Sequence, residues 1–309
     1  MGSVTLADKI DLKHPITNGP GLKSKTIEDL RALIAAGVSM PVIGSITAEA
    51  RVGNPEPRFW FDEDGSTLNA PNLPNGGLEY YEPRLPEMVA MCDDAGVPLC
   101  VNIAEFSEDG YLRVAEATKK AGVALIEFNL SCPNAHDNQG GIICFDFKLT
   151  QTILRGAHRL LGGDPYSVKV SPYSDLAQRK EAALLLRDEG VPIVTLCNTF
   201  PDAFALDKYF QPVITKAARG GLAGFAGKGF RPIVQGHVFQ FRQWLKPEQE
   251  IIAIGGISKG RHALEYEVLG GKVFELTSAH HIQGPEVFLR VKDEYEFLKE
   301  VEEEVKIRR

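Results

Sequence analysis

Nowhere in these 309 residues is there an apolar run long enough to span a membrane or to act as a secretory leader. The opening MGSVTLADKIDLKHPIT is mixed in polarity, and Leu6 stands where a myristoylation signal requires Ser or Thr. Positive charge is in deficit: 34 Lys and Arg face 41 Asp and Glu, a net charge of −7, and no Lys/Arg stripe gathers the cations there are. Polyphosphate binding displaces counterions with clustered cations, so a nucleic-acid partner is not expected. Residues 296–309 mix both signs at helical spacing, as a solvated helix end does. Cysteine is scarce as well. The five make an odd number without a C-x-x-C pair, which suggests neither zinc site nor disulfide framework and fits a reducing compartment. A soluble, cytoplasmic protein without membrane contact is expected.

What is there is a regular alternation. Apolar, strand-length runs occur at residues 14–17, 40–47, 98–104, 124–130, 166–170, 192–198, 251–255 and 272–277. Between them lie helix-period segments at 26–36, 82–94, 108–121, 147–161, 175–189, 232–245, 259–269 and 285–301. Eight of each predicts an α/β fold, a (β/α)8 TIM barrel forming a single domain over residues 1–309. Continuous apolar strands such as Ile251-Ile-Ala-Ile254 belong in a parallel sheet covered by helices on both faces. A doubly wound sheet is the alternative, but no G-x-G-x-x-G opens the first helix. Residues 51–81, rich in Asn, Pro and Gly, read as an elaborated βα loop of functional length.

Barrel enzymes carry their chemistry where strands end. Asparagines gather there: Asn18, Asn129 and Asn198 end strands, and Asn69 and Asn134 lie in the following loops. One such Asn is usually a turn residue, but a set of amides, each donor and acceptor, suits a neutral ring such as a pyrimidine. Gly255-Gly256 and Thr277-Ser278 close the last two strands, where barrels bind phosphate, and a mononucleotide phosphate would fit. Glycines between 220 and 229 would let backbone approach a phosphate or ring. Cys132 lies in Asn129-Leu-Ser-Cys-Pro-Asn134 just past a strand end, an accessible thiol able to act as a base if its surroundings favour the thiolate. Cys92, Cys100 and Cys144 read as small core hydrophobes, and Cys197 as packing near the site. Lys169, inside an apolar strand, reads three ways: a Schiff-base lysine, a cation at the anionic edge of a reduced flavin, or a buried stem with a head reaching the rim. His280-His281 has no carboxylate partner nearby, so no metal is expected.

At the hexapeptide around Cys132 the chain resembles the class 1 dihydroorotate dehydrogenases. The resemblance continues through Thr26-Ile-Glu-Asp-Leu30, Gly53-Asn-Pro-Glu-Pro-Arg58, Leu73-Pro-Asn75 with Tyr80-Tyr81, Val168-Lys169 with Pro172-Tyr173, Gly255-Gly-Ile257 and Gly284-Pro285. It implies an FMN-dependent oxidoreductase of pyrimidine biosynthesis that oxidises dihydroorotate to orotate. Cys132 would take the C5 proton while the C6 hydrogen passes as hydride to flavin N5. It further implies substrate contacts from Asn69, Asn129, Asn134, Asn198, Thr199 and Leu73. FMN contacts would come from Gly19, Pro20, Gly21, Gly44, Ser45, Lys169, Gly224, Gly255, Gly256, Thr277 and Ser278. A cysteine base resembles the soluble class, and a homodimer is that resemblance's default. The chain departs from the pattern at Gly44, where the family usually has an active-site lysine, at Ala70-Pro71-Asn72, in the loop after Cys132, and at Thr277. These departures leave open the same flavin chemistry on a different pyrimidine or a cyclic enone. From another class, a flavin-free lyase using Lys169 is the alternative.

Overall fold

Strands with both faces apolar need cover on both sides, and the chain supplies it by placing a helix after each one. The computed structural model describes residues 3–132, 141–216 and 219–307. Its central sheet consists of β1 (Ile16–Asn18), β2 (Val42–Ile46), β3 (Cys100–Ile103), β4 (Leu125–Asn129), β5 (Tyr166–Val170), β6 (Ile193–Leu196), β7 (Glu250–Ile254) and β8 (Val273–Leu276). All pairings are parallel, and the order is β1-β8-β7-β6-β5-β4-β3-β2. The seam between β1 and β2 is bridged by a side chain. The Asn18 amide donates to the Val42 carbonyl at 2.7 Å and accepts from the Val42 N–H at 3.0 Å, standing in for a ladder. Asn18, expected among the ring-binding amides, is therefore spent on closing the barrel.

The surrounding helices are α1 (Ile27–Ala35), α2 (Leu85–Asp94), α3 (Glu108–Lys120), α4 (Phe147–Leu161), α5 (Leu176–Asp188), α6 (Arg231–Trp244), α7 (Gly260–Val268) and α8 (Val287–Ile307). Helix α1 starts at a capping box, with the Thr26 hydroxyl accepting from the Asp29 N–H and the Asp29 carboxylate from the Thr26 N–H. An N-terminal hairpin, Val4–Leu6 with Ile10–Leu12, plugs one end of the barrel. Leu6, Ile10 and Leu12 pack there against Val42, Cys100, Leu125, Ile193 and Val273, the first residues of five strands. With that end sealed, a cavity can open only where the strands finish.

Residues 51–81 contain more order than a loop reading expects. Phe59–Phe61 and Ser66–Asn69 join Phe200–Ala203 and Ala223–Gly227 in a four-stranded antiparallel sheet, and Gly77–Tyr81 is a short helix. Part of the glycine-rich stretch 220–229 is thus a strand. These strands are three to five residues long, too short for alternation to declare itself. Among the described residues, no helix is long and apolar enough to cross a membrane.

Candidate active site

At the open end of the barrel lies a cleft of about 1190 Å³, part of it continuous with solvent. Its floor is polar. Lys169 on β5 is buried with its ammonium 3.1 Å from Glu275 of β8 and 3.5 Å from Glu127 of β4. Asn102 and Thr195 each donate to Glu127 at 2.6 Å. Burial works against the lysine's charge, but Glu127 and then Glu275 outweigh it and raise its pKa. Burial also raises the Glu275 carboxyl, opposed by Lys169 and reinforced by Glu127. A lysine held protonated between two carboxylates is a poor Schiff-base nucleophile, so the lyase reading loses its chemistry here.

Three of the expected amides line the cleft, and two of them are linked through the Ser131 hydroxyl. Asn129, at the end of β4, donates to the Ser45 hydroxyl at 3.3 Å and accepts from the Ser131 hydroxyl at 2.6 Å. Asn198 donates to the Ser131 hydroxyl at 3.0 Å and accepts from the Thr199 N–H at 2.8 Å. Asn69 donates to the Gly224 carbonyl at 3.3 Å. These bonds hold the amide planes in set orientations, which a flat heterocycle requires. Cys132 lines the same cleft, partly exposed, and packs with Leu73, Ala104 and Phe106. Leu73 and its neighbour Asn72 both hold left-handed backbone, at φ +53° and +57°. For a leucine that conformation costs on the order of 1–2 kcal/mol, and it presses the loop onto the cleft.

Of the expected site residues, Asn69, Asn129, Asn198, Thr199, Leu73 and Cys132 meet in this cleft, as do Pro20, Gly21, Ser45, Lys169, Gly255, Gly256, Thr277 and Ser278. Asn134 lies outside the described residues. Three others sit one layer behind. A Cβ on Gly19 would overlap Thr277 and Ile254, and one on Gly224 would overlap Thr199. Gly44 has φ +118°, and a Cβ there would overlap the Asn102 carbonyl oxygen. Gly255 and Gly256 do face the cleft, yet packing also demands them, against Val234 and the Gly227 carbonyl respectively.

Several residues lining or supporting the cleft escaped the sequence reading. Phe59 lies against His281 at 4.8 Å between ring centroids, and burial lowers His281 to about 4, leaving it neutral. Ser131 links two amides, and Glu275 balances Lys169. Lys25, from the loop between β1 and α1, also lines the cleft. Burial pushes its ammonium down to about 7, opposed by Cys132 and then Asp29. Its signal was present as a cation in a strand-end loop, but Lys23 two residues earlier carries the same signal and is exposed. Among the described residues no group of His, Cys, Asp and Glu could hold a metal ion.

Comparison with known proteins places the chain in a family. The family model described as dihydroorotate dehydrogenase matches residues 3–298. The chain is 30% identical over 290 residues to a probable dihydroorotate dehydrogenase A (fumarate) of Enterococcus faecalis, covering 92% of this chain and 89% of that one. It is 31% identical over 286 residues to a dihydroorotate dehydrogenase (fumarate) of Trypanosoma cruzi, covering 91% and 88%. A crystal structure of DHODH in complex with ferulenol from Eimeria tenella superposes with a TM-score of 0.81 over 99% of this chain and 85% of that one, at 19% identity, a likeness of fold.

Proposed function

Because the chain belongs to the dihydroorotate dehydrogenase family, we propose that it is an FMN-dependent oxidoreductase acting on a CH–CH bond, oxidising dihydroorotate to orotate with Cys132 as the base. The observation that carries this reading is the meeting of the Cys132 thiol, three oriented amides and the Lys169 ammonium in one cleft. The residues present fit FMN. The Thr277 hydroxyl and one Glu275 oxygen are buried in the cleft wall without partners, next to the Ser278 hydroxyl and the Gly255-Gly256 turn. Thr277, Ser278 and that turn would hold the phosphate end, and Lys169 and Ser45 the ring end. When bound, FMN supplies a hydride acceptor.

This chain's own groups supply the rest. Asn69, Asn129 and Asn198 hold the substrate ring flat by its alternating C=O and N–H edge, a task shared with Asn134 in this reading. Cys132, as thiolate, removes the proton from the ring carbon facing it, and Leu73 and Phe106 shield the thiol from water. The same reading carries a homodimer, which sedimentation would show as two copies of the 33.9-kDa chain, and a cytoplasmic location, which fractionation of cells would check. Anaerobic addition of dihydroorotate should bleach the bound flavin within one mixing experiment. A flavin that stays yellow rules this substrate out.

A second reading keeps the chemistry and changes the ring, and two observations favour it. Pro71 and Asn72 line the cleft, and Gly44 contributes no side chain to it. A panel of reduced pyrimidines and cyclic enones, tried in both redox directions, separates the two readings. Bleaching by dihydroorotate alone removes the second.

A further inference from the structure

Among the described residues two ammonium groups line the cleft, and their surroundings differ. Lys169 is balanced by Glu127 and Glu275. Lys25 has no carboxylate within ion-pairing distance among the described residues. A cation in a partly desolvated cleft without a counter-charge is costly, so its placement calls for a reason.

The loop is built to hold it there. The Lys25 N–H donates to the Asp29 carboxylate at 2.7 Å, and its carbonyl accepts from the Tyr81 hydroxyl at 2.9 Å. The carbonyl of the preceding Ser24 accepts from the Gly44 N–H at 2.9 Å, tying this loop to β2. Both backbone polar groups of Lys25 are thus occupied, and the side chain is aimed across the end of β2, where its Nζ donates to the Ser45 carbonyl at 3.3 Å. Position 44 beside it admits no side chain, so β2 itself brings no cation to this wall. Lys25 and Cys132 line the same cleft, and the nearby Asp29 carboxylate is already engaged by two N–H groups.

We propose that Lys25 is the counter-cation of Cys132, pairing with it across the cleft so that the thiol rests as thiolate, the form able to accept a proton. Lys25 then acts through Cys132, as a positioning residue. The inference rests on the reading of Cys132 as the base. Among the described residues, the titratable groups around the pair are Asp29 at the start of α1, Tyr111 of α3, Lys169 and Glu275 on the floor, and the neutral His281. Tyr111 donates its hydroxyl to the Asn129 carbonyl and burial raises its pKa, so it brings no charge. Lys169 is spent on its two carboxylates, which leaves Lys25, among the described residues lining the cleft, as the cation able to answer a thiolate.

Alkylation by iodoacetamide, read by mass spectrometry as a function of pH on the purified protein without substrate, tests this directly. Cys92, Cys100, Cys144 and Cys197 are buried and their thiols are raised by burial, so Cys132 dominates the labelling, and Cys132→Ser supplies the blank. The wild-type midpoint should fall below the ordinary thiol value of about 8.5. Lys25→Met should raise it by about one unit and slow labelling at pH 7 roughly tenfold, while Lys25→Arg keeps most of the shift. A Lys25→Met protein with an unchanged visible spectrum, an unchanged melting temperature and a wild-type labelling profile overturns the proposal. Should that variant not fold, a wild-type midpoint at or above 8.5 overturns it without any substitution. The labelling requires no turnover, so a flavin that dihydroorotate does not bleach removes the substrate assignment and leaves the pairing standing.

Discussion

Gly44 shows how much one residue's backbone decides. At φ +118° it occupies a conformation that L side chains rarely adopt, and the space a Cβ needs is filled by the Asn102 carbonyl of the neighbouring strand. Gly44→Ala should therefore destabilise the protein by about 3 kcal/mol or more, since a strained dihedral and a backbone overlap add. A urea titration measures this as a lowered midpoint with an unchanged slope, and a midpoint equal to wild type contradicts it. The glycine at this position was legible in the chain, and so was the cysteine hexapeptide, because both are local strings. The presence of Lys25 in the same cleft was not, because Lys25 and Cys132 are more than a hundred residues apart and only the barrel brings both to one cleft.

Among the elements, the first helix couples stability to the site. Its capping box places the Asp29 carboxylate where it accepts from both the Lys25 and the Thr26 N–H groups. Thr26→Ala removes the hydroxyl that accepts from the Asp29 N–H, and should cost about 1 kcal/mol in thermal or chemical unfolding. The same change loosens Asp29 and with it the Lys25 backbone, so the Cys132 labelling midpoint should drift toward that of Lys25→Met. A labelling profile that holds steady while stability falls would separate the cap from the site. All eight barrel strands and their helices were readable from periodicity, because each buries a continuous face; most ends were displaced by a residue or two, while α2 starts three residues later and α8 runs six residues further than expected. The antiparallel sheet built from Phe59–Phe61, Ser66–Asn69, Phe200–Ala203 and Ala223–Gly227 was not. Its strands are short, carry Gly and Pro, and pair with partners far away in sequence, so nothing local marks them.

For the whole molecule, pH is the variable that reaches every layer. His237 on α6 is buried and bonded at both ring nitrogens: Nδ1–H donates to the Ile233 carbonyl at 2.8 Å, and Nε2 accepts from the Tyr173 N–H at 2.9 Å. Burial first, and then Arg179, push its pKa down to about 4, against hydrogen bonds that work the other way. The folded state thus refuses a proton that the unfolded chain takes up near 6.5. Stability from this group is full above that value and declines as pH falls toward 4, by on the order of 3 kcal/mol when fully developed. His262, His280 and His281 are lowered to about 4 for the same first cause and act in the same direction. Melting temperature should therefore fall between pH 6.5 and 4, and His237→Gln should flatten that fall while lowering stability at pH 7. An equal slope in the variant assigns the acid sensitivity elsewhere. The barrel, its eightfold alternation and the family likeness carried by the Cys132 motif were determined by the sequence alone, because burial periodicity and a contiguous motif are properties of neighbouring residues. Which cations enter the cleft, which carboxylates neutralise them and which asparagine is spent on closing the barrel were decided only by the tertiary structure. Charge pairing depends on distances of 3 to 4 Å between residues on different strands, and separation along the chain carries no record of those distances.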